Sequence, residues 1–303
     1  MFYKAFIWHR DDHSLYVFLI VLKGIIATIS LVGNALIISS ILAMKKKDRT
    51  IYAMSKLSLA LTGEIMSVTG VISVTNEALF KNQRFKLEAI IIAMGTTCIT
   101  IAFLNVSLMA LQRCYAITYP LKYSKITKKC QLVFILCIWL ASVPIFVPIY
   151  LVLLNSLSLP WLVLLIMFPL MLSLSLLVPL GSTLTMCISY IRYTRSNSLH
   201  SSDCSAVSNA RDHRKIVRMT SSIVIAYFVT SVPTIALTIC FLIYGYNEKF
   251  LMISYKIEPL IYLSGISDFI VYIIIDAQFR NYVMFIFRER MCSWCSFNLE
   301  PRE

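Results

Sequence analysis

The sequence predicts an all-α membrane protein, a bundle of seven transmembrane helices followed by a short amphipathic eighth helix. Of its 303 residues, 58% are hydrophobic and only 14% are charged, and the mean hydropathy is +0.77, far more apolar than an ordinary soluble domain. The apolar residues recur in blocks as long as the roughly 20 residues that a helix needs to cross a bilayer. A soluble protein with buried helices is disfavoured, because a chain of this length could not cover so many apolar segments.

Seven apolar blocks define the predicted spans, which we number one to seven along the chain. They run over residues 15–43, 51–75, 87–111, 132–154, 161–190, 217–244 and 257–275. The assignment predicts three regions: an extracellular N-terminus over 1–14, the membrane domain over 15–275, and a cytoplasmic helix and tail over 276–303. In the last region large apolar residues alternate with Arg, a pattern typical of a helix lying on anionic lipid.

The orientation follows from the basic residues. Most of the 28 Lys and Arg residues fall in the segments after spans one, three, five and seven. Because basic residues concentrate on the cytoplasmic side, we expect an extracellular N-terminus and a cytoplasmic C-terminus. Topology and contact with anionic membrane lipid explain the net charge of +13, and no interleaving of aromatic and basic residues indicates a nucleic-acid surface.

The nine cysteines are distributed between the predicted spans and the cytoplasmic side. None falls in an outer segment, so we expect no extracellular disulfide. Cys292 and Cys295 follow the amphipathic segment in the pattern CSWC, which lacks a second cysteine pair or a His ligand nearby in sequence. Two alternatives stay open for them: reversible palmitoylation at the membrane surface, and two unmodified thiols.

The end of span three carries the most specific motif. Residues 112–121 read QRCYAITYPL, so Arg113 directly follows an apolar run, and Pro120 and Leu121 close the segment. Taken alone, Arg113 could be a topological anchor at the interface. The segment resembles the junction of span three and the second intracellular loop in rhodopsin-like (class A) G-protein-coupled receptors, where an Asp-Arg-Tyr triplet precedes an Ile and a Pro-Leu pair.

The resemblance extends in order along nearly the whole chain. Each match alone is weak, but six in the right order, on spans of the right length, indicate this family. The matching positions are Gly33 and Asn34 in span one, Leu59 and Ala60 in span two, Trp139 in span four, Pro179 in span five, Pro233 in span six, and Asp268, Tyr272, Phe279 and Arg280 at the end of span seven.

The resemblance implies a plasma-membrane receptor that transmits an extracellular small-molecule, lipid or peptide signal to a heterotrimeric G protein through outward movement of span six. The residues that the family pattern assigns to G-protein coupling are Arg113, Pro120, Leu121, Arg214, Lys215 and Arg218. Those that it assigns to conformational switching are Asn34, Pro233, Asp268 and Tyr272.

Two departures from the family pattern concern the arginine. The acidic residue that usually precedes it is Gln112 here, and the acidic partner expected on span six is His213. Without a carboxylate, charge pairing cannot hold Arg113 in place, although neutral hydrogen bonds could. We therefore expect a less firmly locked receptor with raised basal signalling.

The family's sodium site is also altered. Its span-two aspartate is Gly63 here and its span-three serine is Ala102, so we expect no sodium site at these positions. Asp268, where the family usually has Asn, is then the lone acid near the core. We expect it to form a hydrogen bond with Asn34.

The ligand-binding residues are the least specified part of the sequence. The aspartate that binds amines in the family would fall at Gly95, and the lysine that binds retinal at Tyr262, which disfavours both ligand classes. The outer cysteine of span three is Glu88; melanocortin receptors and some lipid receptors resemble the chain in lacking that bridge. The inward-facing candidates by alignment are Ser73, Glu77, Cys98, Thr234, Thr238, Glu258 and Tyr262.

Glu258 stands out among these candidates, because an ionisable residue inside a span is costly and is usually functional. The alternative is a structural bridge between Glu258 and Lys23 of span one. Sequence alone does not choose between a ligand contact and such a bridge.

Other functional classes are disfavoured. A transporter or channel could use seven spans and intramembrane acids, but the sequence has no inverted repeat and no selectivity-filter motif. An enzyme is disfavoured because the four histidines lie outside the spans without metal-ligand spacing, and no nucleophile elbow occurs. No cofactor is indicated.

Overall fold

The computed structural model describes residues 13–44, 51–80, 85–123, 125–153, 177–191, 215, 217–230, 232–233, 236 and 248–297. Within these ranges the chain is helical apart from short connections, and no strand is formed there. The described part of the chain therefore has the all-α character that the apolar blocks predict.

The helices follow the predicted order. Span one is His13–Ala43, span two Ile51–Phe80, span three Phe85–Thr118, span four Lys128–Leu153 and span seven Glu248–Ile275; of spans five and six the structure describes Leu177–Ile191 and Val217–Thr230. A one-turn helix, Pro120–Tyr123, follows span three, and the juxtamembrane helix, Ala277–Phe297, follows span seven. Spans one, two, three, four and seven each extend beyond their predicted bounds at one or both ends, because backbone hydrogen bonding continues beyond the apolar block that marks the bilayer.

Membrane-crossing length is clear for the first three spans. Helical stretches at Ser14–Ala43, Tyr52–Leu79 and Ala93–Thr118 are each long and apolar enough to cross a bilayer. Tyr262–Ile275 and Ala277–Arg288 form a bent pair with an angle of 98° between them. This corner turns the juxtamembrane helix away from the axis of span seven, as expected of a helix that lies on the membrane surface.

Span one shows the side-chain distribution that lipid imposes. Its buried face contains, among apolar residues such as Ala27 and Ile37, the polar residues Lys23, Ser30 and Asn34. Lipid tails cannot form hydrogen bonds, so such groups are stable only where they find partners inside the bundle. Its exposed face is a stripe of large apolar residues at helical spacing, namely Val17, Val21, Ile25, Ile29 and Val32.

Span two lies at the centre of the described bundle. It packs against spans one, three, four and seven, and span one also packs against span seven and the juxtamembrane helix. The largest buried cluster joins spans one, two, three, six and seven to the juxtamembrane helix. The rings of Tyr272 and Phe279 meet edge-on within it, with their centroids 6.2 Å apart. This cluster fixes the corner after span seven against the ends of the other spans.

Gly33 allows spans one and seven to approach closely. A methyl group at this position would lie 2.8 Å from Cγ of Phe269 and 2.9 Å from its Cβ, closer than side-chain carbons normally come. Small residues at helix interfaces are how membrane helices bring their backbones together. The glycine of the first-span motif therefore has a packing role in this structure.

We predict that Gly33→Ala lowers the stability of the protein by about 1–3 kcal/mol, because the added methyl group overpacks the contact with Phe269. Thermal unfolding of the purified protein in detergent would measure the effect. Gly181→Ala is the matched control, because a methyl group there has open space around it, and alanine favours a helix by up to about 1 kcal/mol. Equal unfolding temperatures for the two variants would contradict the packing role.

Candidate functional site

The candidate site lies at the end of the bundle that the sequence predicts to face the cytoplasm. Arg113 is in the last turns of span three, and its guanidinium carbon is 3.6 Å from the ring centroid of Tyr52 in the first turn of span two. This geometry is a cation–π stack. Among the described residues no carboxylate lies within ion-pair distance of Arg113, and its buried Nε has no hydrogen-bond partner. Stacking on Tyr52 is therefore the principal described contact of Arg113.

Gln112, next to the arginine, belongs to a closed ring of three polar side chains. The Ser55 hydroxyl donates to Oε1 of Gln112 at 3.2 Å, and Nε2 of Gln131 donates to the Ser55 oxygen at 2.6 Å. Nε2 of Gln112 donates to Oε1 of Gln131 and closes the ring. All three residues are buried, so spans two, three and four are joined by a neutral network in which the Gln112 amide bonds to Ser55 and Gln131.

A second polar contact joins spans two and four further along the bundle. Nε1 of Trp139 donates a hydrogen bond to the hydroxyl of Ser58 at 3.0 Å. The tryptophan of the span-four motif thus has a partner for its only polar atom, which buried indoles usually require. Together with the ring at Ser55, this bond fixes span four against span two.

Asp276 is the acid of the site. It lies between span seven and the juxtamembrane helix, and one carboxylate oxygen is 3.0 Å from Nζ of Lys56 in span two. The other oxygen is 3.5 Å from Nζ of Lys215, at the start of span six. The Lys56 ammonium also lies 4.3 Å from the ring centroid of Tyr272 and 4.9 Å from that of Tyr52. A single carboxylate thus connects spans two, six and seven.

Burial acts to raise the pKa of the Asp276 carboxyl, but Lys56 and Lys215 outweigh burial and lower the pKa below its ordinary value of 3.8. The ion pairs therefore contribute to folding in full above about pH 4, and the contribution is lost only as the pH falls through the lowered pKa. At neutral pH the carboxylate is therefore ionised.

The structure corrects the expected partner of Asp268. The hydroxyl of Tyr227 in span six donates to Oδ2 of Asp268 at 3.2 Å, whereas Nδ2 of Asn34 donates to the backbone oxygen and the hydroxyl of Ser30 at 2.9 and 3.1 Å. The predicted bond between Asn34 and Asp268 is therefore wrong. Gly63 gives the physical reason: a methyl group there would lie 2.7 Å from Nδ2 of Asn34, so the amide fills the space of the missing side chain and bonds back to its own helix.

The opposite end of the bundle holds a buried ion-pair cluster of Lys23, Ser73, Glu77 and Tyr262, which we name the outer cluster. Nζ of Lys23 donates to Glu77 at 3.0 Å and to the Ser73 hydroxyl at 2.8 Å, and it lies 5.6 Å from the ring centroid of Tyr262. All four residues are buried. Three of the predicted ligand-facing residues thus surround one lysine.

The other predicted site residues have varied positions. Cys98 is buried beside Met66 and Tyr262, Leu121 is 82% exposed, Arg218 is exposed and Pro233 is helical and partly buried. Arg214, Thr234 and Thr238 lie outside the described residues, as do the side chains of Pro120, Glu258, Cys292 and Cys295. A ligand contact of Glu258 and palmitoylation of the two cysteines therefore stay predictions.

Several residues of the site were not predicted from the sequence, among them Tyr52, Lys56, Gln131 and Asp276. The available signal was Lys56, a lysine within a predicted span and therefore in need of a partner. Its partner lies 220 residues away, and no local pattern connects the two. Within the described part of the chain, no group of three or more His, Cys, Asp or Glu side chains could hold a metal ion.

Comparison with known protein families decides the class of protein. A sequence model described as "7 transmembrane receptor (rhodopsin family)" matches residues 33–272, well over half of the chain. The chain belongs to the rhodopsin family of seven-transmembrane receptors. The match begins at Gly33 and ends at Tyr272, so it contains Arg113 and the neutral ring, whereas Asp276 and the juxtamembrane helix lie beyond it.

Membership of the family gives the receptor a seven-span helical bundle in the plasma membrane and a general role in signal transduction. The family is one of receptors rather than enzymes. A search of curated proteins found no match to this receptor.

We predict that Glu77→Gln destabilises the receptor by up to about 3–5 kcal/mol, the cost of breaking a buried ion pair, because it removes the carboxylate 3.0 Å from Lys23. Thermal unfolding in detergent measures the loss. The double variant Lys23→Met with Glu77→Met should recover much of the stability, because neither charge is then buried. Glu64→Gln on the same span is the control, because Glu64 has no ion-pair partner among the described residues. An unchanged unfolding temperature for Glu77→Gln would contradict a stabilising pair.

Proposed function

We propose that this receptor activates a heterotrimeric G protein when an extracellular ligand binds, and that span six moves outward to admit the G protein. The family supplies the general role in signalling. The observation that carries the proposal is Arg113: it lies in the last turns of span three, stacks on Tyr52, and has no carboxylate partner among the described residues. Moving the guanidinium of Arg113 off the Tyr52 ring costs less free energy than breaking a buried ion pair. Arg113 can therefore turn toward a G protein at low cost.

The proposed orientation has the N-terminus outside the cell and the juxtamembrane helix on the cytoplasmic membrane surface. The exposed residues Met284, Phe285 and Phe287 of that helix support contact with lipid, and its arginines suit an anionic leaflet. The same orientation puts Leu121 and Arg218, both exposed, on the side where a G protein would dock.

The proposed state without ligand is only loosely held at Arg113. Gln112 occupies the place of the usual acid, and its amide is bonded to Ser55 and Gln131 instead of to the arginine. The contact that remains is the Tyr52 ring. This arrangement supports basal signalling above that of an otherwise equal receptor with a carboxylate beside the arginine.

The proposed ligand region is the outer half of the bundle, lined by Cys98, Glu258 and Tyr262, with Thr234 and Thr238 on span six. Ser73 and Glu77, the remaining candidates, bind Lys23 in the outer cluster, which supports a role in shaping this region. If so, Glu258→Gln should reduce the potency of an agonist found by screening at unchanged surface expression. An agonist of unaltered potency would contradict a ligand contact of Glu258.

The first experiment measures ligand-free activation of several G-protein families in cells, at matched surface expression. Arg113→Ala should reduce basal activation by roughly tenfold or more, because charge-assisted contacts to the G protein are lost. Arg113→Lys keeps the charge but loses the planar stack on Tyr52, so an intermediate value is expected. Basal activation that is the same in the native chain and in Arg113→Ala would contradict the coupling role.

The same assay tests the missing acid. Gln112→Glu keeps the length of the side chain and puts a carboxylate beside Arg113, and the Gln131 amide can turn to donate to it. Basal activation should therefore fall. Gln112→Met, of similar length and without charge, is the control and should not lower it. A native chain that gives no signal above mock-transfected cells would contradict raised basal activity.

A further inference from the structure

The corner after span seven holds its acid in a fixed orientation. Asp276 is the one residue between the two helices, yet its N–H donates to the backbone oxygen of Tyr272 at 2.9 Å and its own backbone oxygen accepts from the N–H of Arg280 at 2.9 Å. Its side-chain Oδ1 also accepts from the N–H of Gln278 at 3.2 Å, an N-terminal cap for the juxtamembrane helix. Backbone hydrogen bonds to span seven and to the juxtamembrane helix therefore fix the position of the Asp276 carboxylate.

Two lysines share this carboxylate unequally. Lys56 has a side chain only 13% exposed, lies 3.0 Å from Oδ2, and is enclosed by the rings of Tyr52 and Tyr272. Lys215 is 41% exposed and lies 3.5 Å from Oδ1. The first contact is a buried structural pair, and the second is a longer, solvent-accessible pair that can open at low cost.

The neighbouring cations do not compete for Asp276. The guanidinium of Arg280 donates to the backbone oxygens of Ile273 and Ile274 at 3.0 and 3.2 Å, and it thereby caps the end of span seven. Arg113 stacks on Tyr52. Of the described cations, Lys56 and Lys215 are thus the two that form ion pairs with Asp276.

Lys215 and Lys56 connect Asp276 to different spans, Lys215 to span six and Lys56 to span two. It is the first described residue before the span-six helix Val217–Thr230, whereas Lys56 and Asp276 belong to spans packed directly on one another. The contact between Lys215 and Asp276 consequently joins the start of span six to a fixed base.

We propose that Asp276 and Lys215 form an ionic latch that holds the cytoplasmic end of span six against the corner after span seven, and that the latch must open before span six moves outward. The inference rests on the proposed function, because it takes from it the movement of span six. The acid of this pair lies directly after span seven rather than beside Arg113, and the base lies at the start of span six.

The test compares variants that open the latch with one that spares it. Asp276→Asn keeps the helix cap, and pairing it with Lys56→Met avoids leaving a buried lysine without its carboxylate. Lys56→Met alone is the matched control, because the contact between Asp276 and Lys215 remains. Lys215→Gln opens the latch from the other side. Spectroscopic labels at the exposed positions Arg218 and Gln278, introduced as non-natural amino acids because of the native cysteines, report the distance between span six and the juxtamembrane helix.

In the purified receptor we expect the population with the longer label distance to rise about two- to fivefold in the double variant and in Lys215→Gln, and not in Lys56→Met. Unchanged distances in both opening variants would overturn the latch. An equal rise of that population in Lys56→Met alone would also overturn the latch, since the pair of Asp276 and Lys215 is intact there. A rise in the double variant with no rise in Lys215→Gln would exclude Lys215 as the partner of Asp276.

The distance measurement needs no G protein, so it separates the latch from the proposed function. Basal G-protein activation of the double variant, at matched surface expression, should rise with the open population. Lys215→Gln is assessed by the label distance alone, because the family pattern also assigns Lys215 to G-protein coupling. Longer label distances without any G-protein activation would support the latch and contradict the proposed function. Because the Asp276 carboxylate stays ionised above about pH 4, the expected distances are the same across cytosolic pH values.

Discussion

The absence of water in the bilayer is the constraint on which this structure depends. A polar side chain inside the bundle is costly unless it finds a protein partner, and such partnerships bring particular helices together. Lys23 of span one binds Glu77 of span two, and Lys56 of span two reaches Asp276 beyond span seven. Span two takes part in both pairs and, through Ser55, in the neutral ring with spans three and four, in keeping with its central position against spans one, three, four and seven.

Two kinds of polar contact serve different parts of the bundle. Neutral hydrogen bonds join spans two, three and four through Ser55, Gln112 and Gln131, whereas charges join span six to the corner after span seven. Tyr52 borders both, since its ring carries Arg113 and also lies 4.9 Å from the ammonium of Lys56. A displacement of either Arg113 or Lys56 therefore changes the surroundings of the Tyr52 ring.

The sequence predicted the order of the helices and the position of Arg113 because apolar length and a short motif are local properties. Partners could not be predicted, since they depend on how helices pack. Asn34 was assigned to Asp268, but the glycine at position 63 gives its amide room to bond to Ser30. Lys56 and Asp276 are 220 residues apart, and no pattern in either local segment indicates that the two residues pair.

The neutral ring of Ser55, Gln112 and Gln131 also has a consequence for how the receptor responds to its ionic surroundings. Buried hydrogen bonds between uncharged groups are insensitive to dissolved salt, whereas an ion pair with a partly exposed lysine weakens as counterions screen it over about 8–10 Å. Spans two to four therefore keep their arrangement as ionic strength changes. Among the described contacts of span six, the ion pair between Lys215 and Asp276 is the one that dissolved salt weakens in this way.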